Sequence, residues 1–252
     1  MTVLNGRIAL ITGASRGIGR ATARVLSAAG ATVFLAADGT EKELAALAAE
    51  CRQQGGRAEY GLFDMSDPGD VQRMIDATIA AFGRIDILVN NAGMRIRLPF
   101  GEFSVEDFDR LIAVNLRAPF LASQAVLPTM RANGGGRIIT VASQLGMVAS
   151  PNSALYGLAK AALIHMTKSM ALELAKDRIM VNAVSPGPIE TEFTREQMAL
   201  QPGYKAWRES QIPLGRWGTP DEVAETILFL ASTTATFVHG SNLVVDGGYV
   251  VQ

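Results

Sequence analysis

Cysteine, histidine and net charge are all scarce in this chain. Its 252 residues hold one cysteine, Cys51, and two histidines, His165 and His239. One cysteine cannot close an internal disulfide, and a chain of this length can bury a sizeable core without one, so a reducing, cytoplasmic setting is expected. The histidines lie far apart with no metal-ligand spacing around them, so no metal is expected. Lys and Arg total 23 against 24 Asp and Glu, a formal charge of −1. That balance offers nothing to nucleic acid or to an anionic membrane. Long apolar runs are also missing: none approaches the roughly 20 residues of a spanning helix. The opening "MTVLNGRIALITGAS" lacks the basic and then apolar order of a signal peptide. There is no low-complexity tract, repeat or composition shift that would mark a linker.

What remains is a globular composition, 48% hydrophobic and 19% charged,. Short apolar runs alternate with segments of helical period. The runs are 7–12, 32–37, 58–63, 85–90, 137–142, 178–184 and 242–246. Most are continuously apolar, the pattern of strands buried on both faces of a parallel sheet. Seven of them separated by helices predict an α/β fold: a single doubly wound (Rossmann) domain over 1–252, with helices on both faces. Asp67 before Pro68, Ser104 with Asp107, and Thr219 with Glu222 read as helix starts. Gly30, Gly55 and Gly83 read as helix stops. The stretch 190–218 carries no strand signal and is expected to form a mobile flap over a substrate.

Two glycine turns stand at strand ends. "TGASRGIG" (12–19) follows the first run and opens a helix, with Gly13, Gly17 and Gly19. Glycine permits close backbone approach, and a helix N-terminus offers free amides to an anion. A dinucleotide pyrophosphate fits there, although the spacing also suits an ordinary tight turn. "NNAG" (90–93) ends the fourth run. In a doubly wound sheet the first and fourth strands flank the switch point, so both turns face one crevice.

A tyrosine and a lysine, Tyr156 and Lys160 in "YGLAK", share a helix face at i and i+4. Alone, such a pair is usually a solvated contact. "TGASRGIG", "NNAG", Ser143 thirteen residues before the tyrosine (156 − 143 = 13), "YGLAK" and "SPGPIET" (185–191) together resemble the short-chain dehydrogenase/reductase family. The likeness runs nearly end to end, and it is similar to the compact subgroup of 3-oxoacyl-carrier-protein reductases and sugar or polyol dehydrogenases. It implies NAD(P)-dependent hydride transfer between an alcohol and a carbonyl. Tyr156 would be the general acid/base and Lys160 the charge that tunes it. Ser143 would hold the substrate oxygen, and Asn115 would hold a water that relays protons to Lys160. Asn115, among apolar neighbours, equally suits a helix-pinning role. The resemblance also implies a cofactor site. Gly13, Ser15, Arg16, Gly17, Ile18 and Gly19 would line its adenosine and pyrophosphate, Asp64 and Met65 its adenine, Asn91, Ala92 and Gly93 its ribose. Pro186, Gly187, Ile189 and Thr191 would border the nicotinamide.

The reaction explains the residue types. Charge builds on the carbonyl oxygen during hydride transfer, so a proton donor and a stabilising cation are both needed. A free tyrosine, with its pKa near 10, needs a nearby cation to act as a base at neutral pH. The cofactor choice turns on the end of the second strand. Asp38 is the acidic candidate there; a carboxylate accepts from a ribose and repels a 2′-phosphate, which favours NAD over NADP. Asp38 can also be a turn or helix-cap residue, and Arg16 is a basic group of the kind NADP-using relatives employ.

Met198, Tyr204, Trp207 and Ile212 could form an apolar lid over the substrate. Arg95 and Arg97 follow "NNAG" near the crevice mouth. One is a candidate for a substrate carboxylate or phosphate, solvated loop arginines being the plainer reading. Gln144 is a candidate contact for a hydroxyl-rich substrate. The family resemblance implies a homotetramer, and "AALIHMTKSMALELA" (161–175) has apolar positions enough for a sheet and a partner helix. "KDRIM" follows that helix where relatives often carry glycine, which would shift the loop. Two rival functions have less support: a catalytically silent nucleotide sensor, which would tend to lose Tyr156 or Lys160, and a lyase or epimerase, which would tend to be longer.

Overall fold

A computed structural model describes residues 3–39, 41–201 and 203–251. Seven parallel strands form one sheet in the order β3-β2-β1-β4-β5-β6-β7. They are β1 (Ile8–Thr12), β2 (Thr32–Ala37), β3 (Ala58–Leu62), β4 (Ile87–Asn90), β5 (Gly136–Val141), β6 (Ile179–Pro186) and β7 (Asn242–Val245). Each strand coincides with one of the apolar runs to within a few residues. The runs are continuous because both faces are covered. Along β1, Ala9 and Ile11 enter one core, while Leu10 between them enters the other,.

The first core lies under α1 (Gly17–Ala28), α2 (Glu41–Gln53) and α9 (Pro220–Ala231), through Leu26, Leu44, Leu47, Val223 and Ile227. The second lies under α3 (Pro68–Phe82), α5 (Ala118–Ala132) and α6 (Ala154–Leu174), through Met74, Ile75, Val126, Met130 and Ala171. The expected caps are in place. Asp67 accepts from the Gly69 amide at 2.8 Å, and Ser104–Asp107 and Thr219–Glu222 close reciprocal capping boxes,. Gly83 ends α3 in the left-handed region.

One expectation is corrected. A helix long and apolar enough to cross a membrane does exist, by length and composition: Val105–Ala132, 28 residues. The sequence reads as short runs because charged residues interrupt its first turns. Its apolar side packs on the sheet through Ala118, Ala122 and Val126. It is not one uniform helix. Between α4 (Val105–Ile112) and α5 a π-helical turn spans Ala113–Arg117. In the loop after α6, Arg178 takes the left-handed region at φ 57°. The segment 190–218 is largely helical, with α7 (Glu192–Leu200) and α8 (Tyr204–Glu209).

Candidate active site

The two glycine turns meet, as expected from the strand order. The Thr12 hydroxyl accepts from the amides of Asn91 at 3.0 Å and Ala92 at 2.9 Å. Asn91 returns its side-chain amide to the carbonyls of Thr12 at 2.9 Å and Gly13 at 3.1 Å. Two glycines here are obligatory. Gly13 has φ 64°, and a Cβ on Gly19 would stand 2.1 Å from the Gly13 carbonyl oxygen. The turn therefore closes on itself and leaves the α1 amides facing the crevice. One already holds an anion: the Gly17 N–H donates to a Glu192 carboxylate oxygen at 3.1 Å.

Ser15 is buried, Ile18 packs against the first core, and Arg16 is exposed. Asp38 is exposed directly after β2 and makes no ion pair or hydrogen bond among the described residues. A Cβ on Gly39 would lie 3.3 Å from both the Ser15 hydroxyl and a Glu43 carboxylate oxygen. Two carboxylates thus stand at this end of the turn. Asp64, just beyond β3, is the expected cofactor residue least joined to the rest. Its carboxylate accepts from the Ser66 amide at 2.7 Å, and Ser66 holds it below the usual carboxylate range. Met65 is buried beside Thr12 and Ala92.

The polar centre forms where β4, the π-turn, β5 and α6 converge. Asn115 is fully buried, and both ends of its amide engage Met94: Oδ1 accepts from the Met94 N–H and Nδ2 donates to its carbonyl, each at 2.8 Å. A Cβ on Gly93 would lie 3.4 Å from Asn115 Oδ1 and 3.7 Å from Lys160 Nζ, so the two polar groups border the same small volume. Lys160 is buried. Its Nζ donates to the Val141 carbonyl at 2.8 Å and lies 5.6 Å from the Tyr156 ring centroid. Burial pushes its pKa down to about 8,.

Tyr156 hydrogen-bonds with Ser143, whose hydroxyl accepts from the Leu145 amide at 3.1 Å. Burial pushes the phenol pKa up, while the Arg95 guanidinium and then the Ser143 hydrogen bond pull it down. Sequence reasoning named lysine as the tuning charge; Arg95 acts on the phenol as well, 5.3 Å over its ring.

Pro186 ends β6 and is buried. A Cβ on Gly187 would stand 2.9 Å from Gln144 Oε1, a buried acceptor with no partner among the described residues. Ile189 is buried, and Thr191 caps α7 with its methyl group 3.3 Å from a Cβ on Gly17. Of the candidate lid, Ile212 and the Tyr204 ring pack inward. Tyr204 has Trp207 at 5.8 Å and Trp217 at 6.3 Å, while Trp207 is largely exposed. Thr12, Glu192 and Arg208 escaped sequence reasoning. Each acts across more than 40 positions of chain, where no local pattern reports the contact.

A doubly wound parallel sheet whose two glycine turns open beside a tyrosine–lysine–serine cluster defines a dinucleotide-binding α/β enzyme. A family model described as enoyl-(acyl carrier protein) reductase matches residues 13–250. The chain is 39% identical to 3-oxoacyl-[acyl-carrier-protein] reductase FabG of Thermotoga maritima, over 98% of this chain and 99% of that one. Among solved structures it resembles a short-chain type dehydrogenase/reductase from Mycobacterium marinum, with TM-score 0.93 and 40% identity over 99% of this chain and 97% of that one. It also resembles a gluconate 5-dehydrogenase from Burkholderia cenocepacia J2315 in complex with NADP and tartrate, with TM-score 0.93 and 39% identity over 99% and 97%. The chain belongs to the short-chain dehydrogenase/reductase family, whose members are NAD(P)-dependent oxidoreductases.

The residues present fit such a cofactor. The N-terminus of α1, whose Gly17 amide already holds a carboxylate, suits a pyrophosphate, the Gly13–Gly19 closure gives the backbone approach, and the orphaned Gln144 acceptor faces Gly187,.

Proposed function

We propose that the protein interconverts a secondary alcohol and its carbonyl, with Tyr156 as general acid/base assisted by Lys160, Ser143 and Asn115. The observation that carries this is the phenol of Tyr156, hydrogen-bonded to an oriented Ser143 and lying against the buried Lys160. A nicotinamide cofactor, when bound, would supply the hydride acceptor for oxidation and the hydride donor for reduction. Ser143 holds the substrate oxygen beside the phenol. In reduction the protonated Tyr156 gives its proton to that oxygen, and burial keeps the phenol in the donor form at neutral pH,. In oxidation Tyr156 takes the hydroxyl proton, helped by the cations around it. Asn115 pins the Met94 backbone and turns its second Oδ1 lone pair to the volume shared with Lys160, where a water can pass protons to the ammonium,. Tyr156→Phe should lower kcat by about 10²–10⁴-fold with the fold intact by circular dichroism. Full activity in that variant across a panel of secondary alcohols would overturn the assignment.

The preferred cofactor is NAD. Asp38 follows β2 immediately before Gly39, and Glu43 and Ser15 border Gly39, so two acids stand in this stretch where a 2′-phosphate would be repelled,. The Burkholderia cenocepacia neighbour holds NADP, so this preference rests on the two acids of this chain. Asp38→Arg should move the ratio of kcat/KM values towards NADP by about tenfold or more.

The working assembly is a homotetramer, with 190–218 as the substrate-covering flap of each copy. A groove of about 440 Å³ runs between α4 and α6, lined by Phe103, Val105, Phe108 and Leu158, and Leu172 on α6 is 84% exposed. These apolar surfaces suit copies of the same helices. The cytoplasm suits Cys51, a buried free thiol.

A further inference from the structure

Arg95 is not a solvated loop arginine. It follows Met94, whose N–H and carbonyl are both clamped by Asn115, so the backbone that carries it is fixed. Its guanidinium lies 5.3 Å over the Tyr156 ring, and Nη2 donates to the buried Ser153 hydroxyl at 2.8 Å. Nε is buried and has no hydrogen-bond partner among the described residues. No carboxylate pairs with Arg95 among the described residues; the nearby charges are Arg97 and Arg208, both positive. Arg208 is itself buried, with no carboxylate paired to it among the described residues. It donates to the Tyr249 hydroxyl at 3.1 Å and packs against the Trp207 and Tyr249 rings.

A guanidinium withdrawn from water without a counter-ion is costly, and the cost falls when an anion arrives to pair with it. Here the cation stands over the ring of the tyrosine assigned to proton transfer, with its Nε donor unused. The arginine fork suits the planar carboxylate, and the Ser153 contact fixes the plane of the fork. Arg97, in contrast, is exposed.

We propose that Arg95 binds a carboxylate of the substrate, so that the alcohol oxidised at Tyr156 is a small hydroxy acid and its product the matching oxo acid. This rests on the assignment of Tyr156 above. Arg95 is then a substrate-binding residue, and the carboxylate keeps its charge through the reaction. The carbinol C–H pair leaves as hydride to the oxidised nicotinamide, and the hydroxyl proton goes to Tyr156. The size limit follows from the contact: one molecule must reach Arg95 with one end and Tyr156 with its hydroxyl.

The test assays small β- and γ-hydroxy acids, each beside its methyl ester, with wild type, Arg95→Gln, Arg95→Lys and Arg97→Gln. Wild type should prefer acids, and Arg95→Gln should raise KM for the acids by about 30-fold or more with KM for the esters unchanged, while any fall in kcat from the altered phenol is common to both. Arg95→Lys should recover part of the loss, and Arg97→Gln should follow wild type. Separately, succinate should raise the melting temperature of the cofactor-bound wild type but not of Arg95→Gln. Equal use of acids and esters by wild type overturns the proposal, as does an equal rise of KM on both in Arg95→Gln. A larger thermal shift from inorganic phosphate than from succinate overturns the carboxylate assignment. If Tyr156→Phe abolishes turnover while the acid-to-ester ratio is near one, the anion site alone is wrong. If Tyr156→Phe stays active, the underlying assignment is.

Discussion

Lys160 shows how a single residue can serve a site at the expense of the fold. Its pKa falls from 10.5 to about 8 because burial penalises the ammonium. Between those values the unfolded chain binds the proton and the folded chain does not, so stability should rise as pH goes from about 8 to 10.5. Below pH 8 the ammonium is charged in both states and the penalty, roughly 3 kcal/mol, is felt in full. Lys160→Met should therefore be inactive yet more stable than wild type at pH 7, and the gap in urea midpoints should shrink towards pH 10. A variant less stable at every pH would show that the hydrogen bond to Val141 outweighs the desolvation. At this scale Tyr156 and Lys160 were legible because their relation is local, four positions on one helix. Arg95 was legible only as a position. Its burial and its place over the Tyr156 ring depend on Asn115, twenty residues onward and on another element, which no spacing encodes.

The π-turn at Ala113–Arg117 is the element that carries Asn115 to the Met94 backbone. An extra residue in the turn re-aims a side chain, and such turns gather at functional sites. Here it accompanies Asn115 turned inward onto Met94. Asn115→Leu would leave the Met94 N–H and carbonyl without their partners. A stability loss of about 2–4 kcal/mol is expected, with faster amide exchange at Met94 and higher KM for substrate. Unchanged exchange at Met94 would mean that the clamp is dispensable. Arg178 gives a smaller effect of opposite sign. It holds φ 57° where glycine is at ease, so Arg178→Gly should stabilise the chain by about 0.5–1 kcal/mol in thermal melts, with activity unchanged. The strands and capped helix starts could be read from sequence because apolar runs and cap residues are local signals. The π-turn could not, because its hydrogen bonds shift without any change of residue type.

Across the whole molecule, the two cores keep the sheet central and leave the α4–α6 side apolar and uncovered. If the proposed homotetramer forms through this face, Leu172→Glu should shift it towards smaller species in light scattering while leaving circular dichroism unchanged. An unchanged mass would remove this face from the interface. The parallel sheet was legible because continuous apolar runs require cover on both faces, whereas α7 and α8 carried too little periodicity to be seen. One contact of that flap reaches beyond architecture. Glu192 sits on the Gly17 amide, the donor offered to a pyrophosphate, and two anions cannot share it. A pyrophosphate that took this amide, as proposed, would displace Glu192 from it, so the chain carries its own competitor for the coenzyme,. Glu192→Gln should then raise the rate of coenzyme capture in stopped-flow binding, and an unchanged rate would show that the carboxylate does not compete.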